Sequence, residues 1–228
     1  MKSLIKKIRY YGLFKSIGLI LPVIRREINL KRRRVAFPKY AMEVLIHVSK
    51  VLQQHNVEHW LEYGTLLGLV RDGKLIPNDL DLDIGVFTPE QQDAYRIILQ
   101  RAGFKLIKVW LLENKIVEET YLYKNVHVDL YYFQRSDDKL VAYTFYRDRT
   151  LEHGLKINEY KTLRYSYLGY SGTEELVING ANFIIPCGHD FLLRQKYGNW
   201  RVRNSAWTIF DSPVVDQISS IATLKVFG

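Results

Sequence analysis

Three aspartates spaced two residues apart, Asp79, Asp81 and Asp83, are the residues whose types and spacing most suggest chemistry. They alternate with Leu80, Leu82, Ile84 and Val86, a period-two pattern that puts the acids on one face of a strand and the apolar side chains on the other. Aspartate is disfavoured in strands, and carboxylates this close repel one another unless a cation neutralises them. Hard oxygen donors at that spacing suit Mg²⁺ or Mn²⁺. A second stretch, Val126-His-Val-Asp-Leu130, presents Asp129 in the same way and would complete a two-metal site if the strands pair side by side. Gly64 and Thr65 open an apolar helical run, where backbone N–H groups and a hydroxyl at a positive helix end suit a phosphate. Together these groups point to in-line attack at phosphorus.

Other readings of the same residues are weaker. Asp79, Asp81, Asp83 and Glu90 also match the ligand spacing of a calcium loop, but Ile84 stands where that loop needs glycine. Asp129 in isolation would be an ordinary salt-bridge partner. Its company raises it. His127 reads as a hydrogen-bonded strand histidine, and Arg194, Lys196, Arg201 and Arg203 as a solvated basic face or phosphate ligands. The tyrosines between residues 121 and 170 suit a half-buried sheet, or stacking on sugars.

The elements that must position these groups follow from periodicity. Residues 38–56 predict a helix with Ala41, Val44, Leu45, Val48, Val51 and Leu52 on one face and Pro38 in its first turn. A short strand over 58–63, a helix carrying Leu66 to Val70 and a turn at Asp72-Gly73 lead into the aspartate strand. Thr88-Pro-Glu-Gln91 predicts a capped helix start, with a stop at Gly103. Residues 104–147 read as extended and aromatic, 160–170 as extended, and 190–197 as a helix ended by Gly198. The tail from Ser212 reads as one more helix.

Composition bounds the rest. The chain has 228 residues, 47% of them hydrophobic, enough for one sizeable core. The single cysteine, Cys187, excludes an intrachain disulfide and any multi-cysteine zinc site. The net charge of +9 is uneven: residues 1–40 hold twelve Lys/Arg and one acid, whereas the remainder holds 21 bases and 23 acids. The body is slightly acidic, so nucleic acid is not the expected partner. Residues 1–34 interleave charge with apolar side chains, and the uncharged run from Ser16 to Ile24 is too short to span a bilayer. A basic amphipathic segment resting on an anionic leaflet is expected.

At Gly64-Thr-Leu-Leu-Gly68, Arg71 and Ile76-Pro-Asn-Asp-Leu-Asp-Leu-Asp83 the sequence resembles the LicD family, which includes fukutin-related proteins. The resemblance resumes at Val126-His-Val-Asp-Leu130 and from Ile185-Pro186 through Tyr197-Gly-Asn-Trp200. It implies an α/β (α+β) fold of the nucleotidyltransferase type, similar to DNA polymerase β: a mixed sheet with flanking helices and a decorated C-terminal part. By position, Gly64, Thr65 and Arg71 match phosphate- or nucleotide-binding residues. Asp81, Asp83 and Asp129 match the metal-binding and catalytic carboxylates, with two Mg²⁺ or Mn²⁺ ions implied and Asp129 a general base. Leu80 departs from the family, which often has an acid there.

The resemblance further implies a catalytic domain over 37–228 behind a basic segment over 1–36. The implied reaction moves phosphocholine or a polyol phosphate from a CDP-activated donor to a sugar hydroxyl of a surface glycan such as lipopolysaccharide, teichoic acid or capsule. A lipid-linked acceptor, a cytoplasmic location and peripheral contact with the inner membrane face would fit the basic N-terminus. Two alternatives stay open: a nucleotidyltransferase placing NMP on a small molecule or protein, and an inactive membrane-associated scaffold.

Overall fold

A computed structural model describes residues 2–89, 93–147 and 155–227, with side chains from Glu27 onward. Helix α1 (Lys2–Gln54) buries Val44, Leu45, Val48 and Leu52 at helical spacing against the sheet. The sequence predicts its start at Pro38. Pro38 instead lies inside a 53-residue helix. Proline has no N–H to give the Arg34 carbonyl, so that turn is weak on its own. Tertiary contacts secure it: Ala36 and Phe37 are buried, and the Arg33 guanidinium bonds to the Leu80 carbonyl. The expected amphipathic segment before Glu27 lies outside the described side chains. Among the described residues, no helix is long and apolar enough to cross a membrane.

Strand β1 (His59–Leu61) pairs antiparallel with β2 (Asp81–Phe87), and α2 (Tyr63–Asp72) lies between them in sequence. Helix α2 ends as expected, with Gly73 in the left-handed region and its N–H bonded to the Leu69 carbonyl at 3.1 Å. Trp60 faces Gly85 across the β1–β2 pair, and a Cβ at Gly85 would stand 2.4 Å from the indole ring. Only glycine admits that approach. Helix α3 (Ala94–Arg101) follows β2, and the expected capping Gln91 lies outside the described residues.

The remaining strands are β3 (Lys105–Leu112), β4 (Lys115–Tyr123), β5 (Val126–Ser136), β6 (Lys139–Tyr146), β7 (Glu159–Leu168) and β10 (Val215–Val226). The spatial order is β1-β2-β5-β4-β3-β10-β7-β6, and β6 also pairs with β5. That second pairing closes six antiparallel strands into a barrel. The expected nucleotidyltransferase-like mixed sheet with flanking helices is therefore incorrect: the protein is mostly sheet, its barrel wholly antiparallel, with four α-helices among the described residues.

Two features account for the difference. Strand β5 is long enough to pair with β4 along Val126–Tyr131 and with β6 along Gln134–Ser136. The tail expected to be helical is strand β10, rich in β-branched residues (Val215, Ile218, Ile221, Thr223, Val226) that favour a pleated surface. It joins β7 to β3 and bulges between Ile218 and Ile221. A separate hairpin of β8 (Thr173–Ile178) and β9 (Ala181–Pro186) precedes α4 (His189–Tyr197), which ends at Gly198 as the sequence predicts.

Candidate active site

Strand β5 pairs parallel with β2, and the register sets Asp83 opposite Asp129 and Asp81 opposite His127. Directly opposed residues share a face, so the three acids stand on one side of the sheet. Leu82, Ile84, Val128 and Leu130 are fully buried on the other. The hydrophobic effect on one face thus fixes the carboxylates on the other, because a one-residue slip would expose that apolar set.

Thr65 ties α2 to this ladder. Its Oγ1 accepts the Asp83 N–H at 2.8 Å, in the interior. Gly64, beside it, presses against the acids: a Cβ there would meet Asp79 Oδ2 at 2.4 Å and Asp83 Oδ2 at 3.6 Å. The turn is held from behind by Glu62, whose Oε1 accepts the Tyr63 N–H at 3.1 Å and whose Oε2 accepts from Trp60 Nε1 at 2.6 Å and Tyr167 Oη at 3.1 Å. The Lys196 ammonium, from α4, completes the set on Oε1. Lys196, read from sequence as part of a solvated basic face or as a phosphate ligand, is buried.

The acids crowd one another. Burial, with Asp81 beside it, pushes Asp79 up to about 6. Burial, then Asp81, pushes Asp129 up to about 6, while Thr120 pulls it down. Asp83 is raised by burial and by the charges of Asp81 and Asp129. Glu118 on β4 is raised by burial and Asp129, a further buried carboxylate that the sequence reading missed. Its one signal was an acid inside an aromatic extended stretch. His127 is lowered to about 3 by burial, then by Arg33 and Lys108, so it stays neutral.

Arg33 was also missed, hidden in a basic run. Its Nη2 bonds Asp81 Oδ2 at 3.1 Å and the Leu80 carbonyl at 3.0 Å. This pairing ties Asp81 to α1. Among the described residues no three His, Cys, Asp or Glu side chains converge as a finished metal-ligand group. The donor chemistry nevertheless suits a hard divalent cation at Asp83 and Asp129. Among the described residues Asp129 Oδ1 is buried without a hydrogen-bond partner, and an unpaired oxygen among mutually repelling carboxylates calls for positive charge.

A cavity of about 1040 Å³ opens beside this cluster. Gly64, Arg71, Asp79 and Asp83 line it, whereas Thr65, Asp81 and Asp129 do not. Arg71 bonds Asp72 at 3.0 Å, and Arg203 reaches the other oxygen of Asp72 at 3.1 Å. The Arg71 hydrogen bond leads in holding that carboxyl below the usual range. The lining also includes Tyr197, the last residue of α4, and Asn199, Trp200 and Trp207 from the segment after it.

Residues 56–166 match the family described as LicD/FKTN/FKRP, nucleotidyltransferase domain, a span that includes Gly64, Thr65, Arg71, Asp81, Asp83 and Asp129. The chain carries a LicD domain. Ribitol-5-phosphate transferase FKTN of Homo sapiens is 31% identical over 188 residues, covering 78% of this chain and 37% of that protein. Ribitol 5-phosphate transferase FKRP of Homo sapiens is 31% identical over 97 residues, 40% of this chain and 20% of that protein. Protein RT0683 of Rickettsia typhi is 30% identical over 115 residues, 50% of this chain and 35% of its own length. The LicD chain thus spans less than two fifths of each of these relatives. Arg33, Lys196 and Trp200 lie outside the matched span, so these contributions to the LicD site come from flanking segments.

Proposed function

We propose that this LicD protein transfers a phosphate-linked alcohol from a CDP-activated donor to a sugar hydroxyl of a surface glycan, with Mg²⁺ or Mn²⁺, as two ions, as cofactor. The names of the FKTN and FKRP relatives favour a polyol phosphate, ribitol 5-phosphate foremost, over phosphocholine. One observation carries the reading: Asp83 and Asp129 are opposed and buried, with Asp129 Oδ1 lacking a hydrogen-bond partner among the described residues, beside the Gly64–Thr65 helix start.

In this reading Asp81, Asp83 and Asp129 would hold the two cations. The cations would supply Lewis acidity at the phosphoryl oxygens and offset charge developing on the leaving group. The N–H groups at the start of α2 orient the donor phosphate, and Arg71 receives negative charge across the cavity. Asp129, whose Oδ1 has no hydrogen-bond partner among the described residues, would take the proton from the acceptor hydroxyl as its oxygen attacks phosphorus in line. The bond from phosphorus to the CMP oxygen breaks, and CMP leaves.

The proposed location is the cytoplasmic face of a membrane, with residues 1–34 on an anionic leaflet beside a lipid-linked acceptor. Deletion of those residues should abolish partition onto anionic liposomes. For the reaction, calorimetric titration of CDP and CDP-ribitol with and without Mg²⁺ is decisive. Metal-dependent binding that Asp83→Asn removes, together with CMP release on turnover, supports the reading. Absence of nucleotide binding, or release of pyrophosphate from a nucleoside triphosphate, overturns it.

A further inference from the structure

Among the described residues, two buried donors of the cavity lining have no hydrogen-bond partner. Trp200 is 5% exposed and lines the cavity, and its indole N–H has no partner. The Tyr63 hydroxyl, on the same cavity, is likewise buried and unpartnered. A buried donor left unpaired costs about 1–3 kcal/mol, so two in one cavity lining are a standing demand for ligand oxygen. An indole N–H can only donate, which restricts its partner to an acceptor atom.

The rings around these donors narrow the ligand class. Tyr63 meets Tyr131 edge-on at 4.7 Å and 77°, and Tyr165 at 5.0 Å and 45°. Tyr197 and Trp207 meet at 4.7 Å and 57°. A planar nucleobase is best held between parallel faces, and none of these ring pairs offers them. Tilted rings instead suit a puckered ring or a bent carbon chain, whose C–H groups rest on aromatic faces while its hydroxyls reach the polar edges. Asn199, also on this wall, adds an amide that both donates and accepts. At about 1040 Å³ the cavity is at the upper end for small-molecule sites, with room for more than a nucleotide.

We propose that the wall built by Tyr63, Tyr197, Trp200 and Trp207 is the subsite for the hydroxyl-bearing reactant, a polyol chain or a sugar, with the Trp200 N–H and Tyr63 hydroxyl reading its oxygens. Its place in the reaction rests on the transfer reading above, whereas its binding of a hydroxylated ligand does not.

The test is titration of the full chain with CDP, CDP-ribitol, ribitol 5-phosphate and a panel of methyl glycosides, the last with and without CDP, in wild type, Trp200→Phe and Tyr63→Phe. Both substitutions keep an aromatic ring and remove the donor. The expected result is that CDP-ribitol binds more tightly than CDP, or that a glycoside binds, and that each substitution weakens this increment about five- to tenfold while CDP affinity holds. The responding arm separates the donor's polyol from the acceptor's sugar. Tyr63→Phe should raise thermal stability or leave it no lower, since the buried hydroxyl it removes is unpaired, so one variant remains informative if Trp200→Phe folds poorly. Equal increments in all three proteins, no binding of any hydroxylated probe, or an equal loss of CDP affinity assigning the wall to the base would each overturn the proposal. Hydroxyl-dependent binding without any CDP binding would uphold the subsite and sink the transfer reading.

Discussion

Glu62 and Lys196, 134 positions apart in sequence, form an ion pair in which neither side chain is more than 1% exposed. The pair joins α4 to the N-terminus of α2, so the C-terminal part of the chain sets where Gly64 and Thr65 stand. Removing one member of a buried pair strands the other charge, at a cost of about 3–5 kcal/mol. We expect Lys196→Met to lower stability by that order in urea unfolding, and Glu62→Gln with Lys196→Met to recover part of it. A double variant no more stable than Lys196→Met alone would show that the pair is not coupled.

Asp83→Asn should reduce turnover by about a hundredfold or more while the circular dichroism spectrum stays native. The substitution keeps the backbone N–H that donates to Thr65, so the ladder is undisturbed. Asp81→Asn should impair turnover as severely, and it also frees Arg33. Full activity in either pure variant would remove these residues from the site.

Asp129 gives a prediction about pH. Its carboxyl rises from 3.8 unfolded to about 6 folded, so the folded chain binds the extra proton between those values and stability falls as pH rises through that window. Above about pH 6 the loss is complete. In metal-free protein, Asp129→Asn should therefore be more stable than wild type at pH 7, by on the order of 3 kcal/mol, and equal to it near pH 4. Melting curves across that range, in EDTA and then in excess Mg²⁺, test this. Mg²⁺ should raise the wild-type melting temperature at pH 7 and leave the variant nearly unmoved.

Gly64→Ala places a methyl group against Asp79 Oδ2, and the carboxylate must move. We expect activity to drop at least tenfold with a modest loss of stability, of about 1–3 kcal/mol, typical of overpacking. An alanine variant with wild-type kinetics would mean that the close approach is incidental.

The strand acids were legible because their alternation with Leu80, Leu82 and Ile84 is itself the structural rule, and β2 and β5 pair as the sequence suggested. The start of α2 was legible in the same way, from a glycine and a threonine opening an apolar helical run. The barrel was not. Its closure depends on β5 having two partners and on β10 bridging β7 and β3, and such long-range pairings leave no local periodic trace. Lys196 misled for a related reason, since a lysine near the end of a short helix gives no sign that a glutamate 134 residues away will bury it. Arg33 was read through its neighbours in a basic run, although its own side chain turns to Asp81.

The β2–β5 ladder also bears on how this scaffold tolerates change. Asp83 and Asp129 are adjacent in space through one pairing, while the chain between them runs out through α3 and the β3–β4 hairpin. That hairpin turns at Glu113 and Asn114, both with positive φ. Length added at this tip enters neither the ladder nor the cavity wall, so a tag or reporter loop spliced there should leave the two carboxylates in place, giving a handle on the molecule that is mechanically insulated from its chemistry.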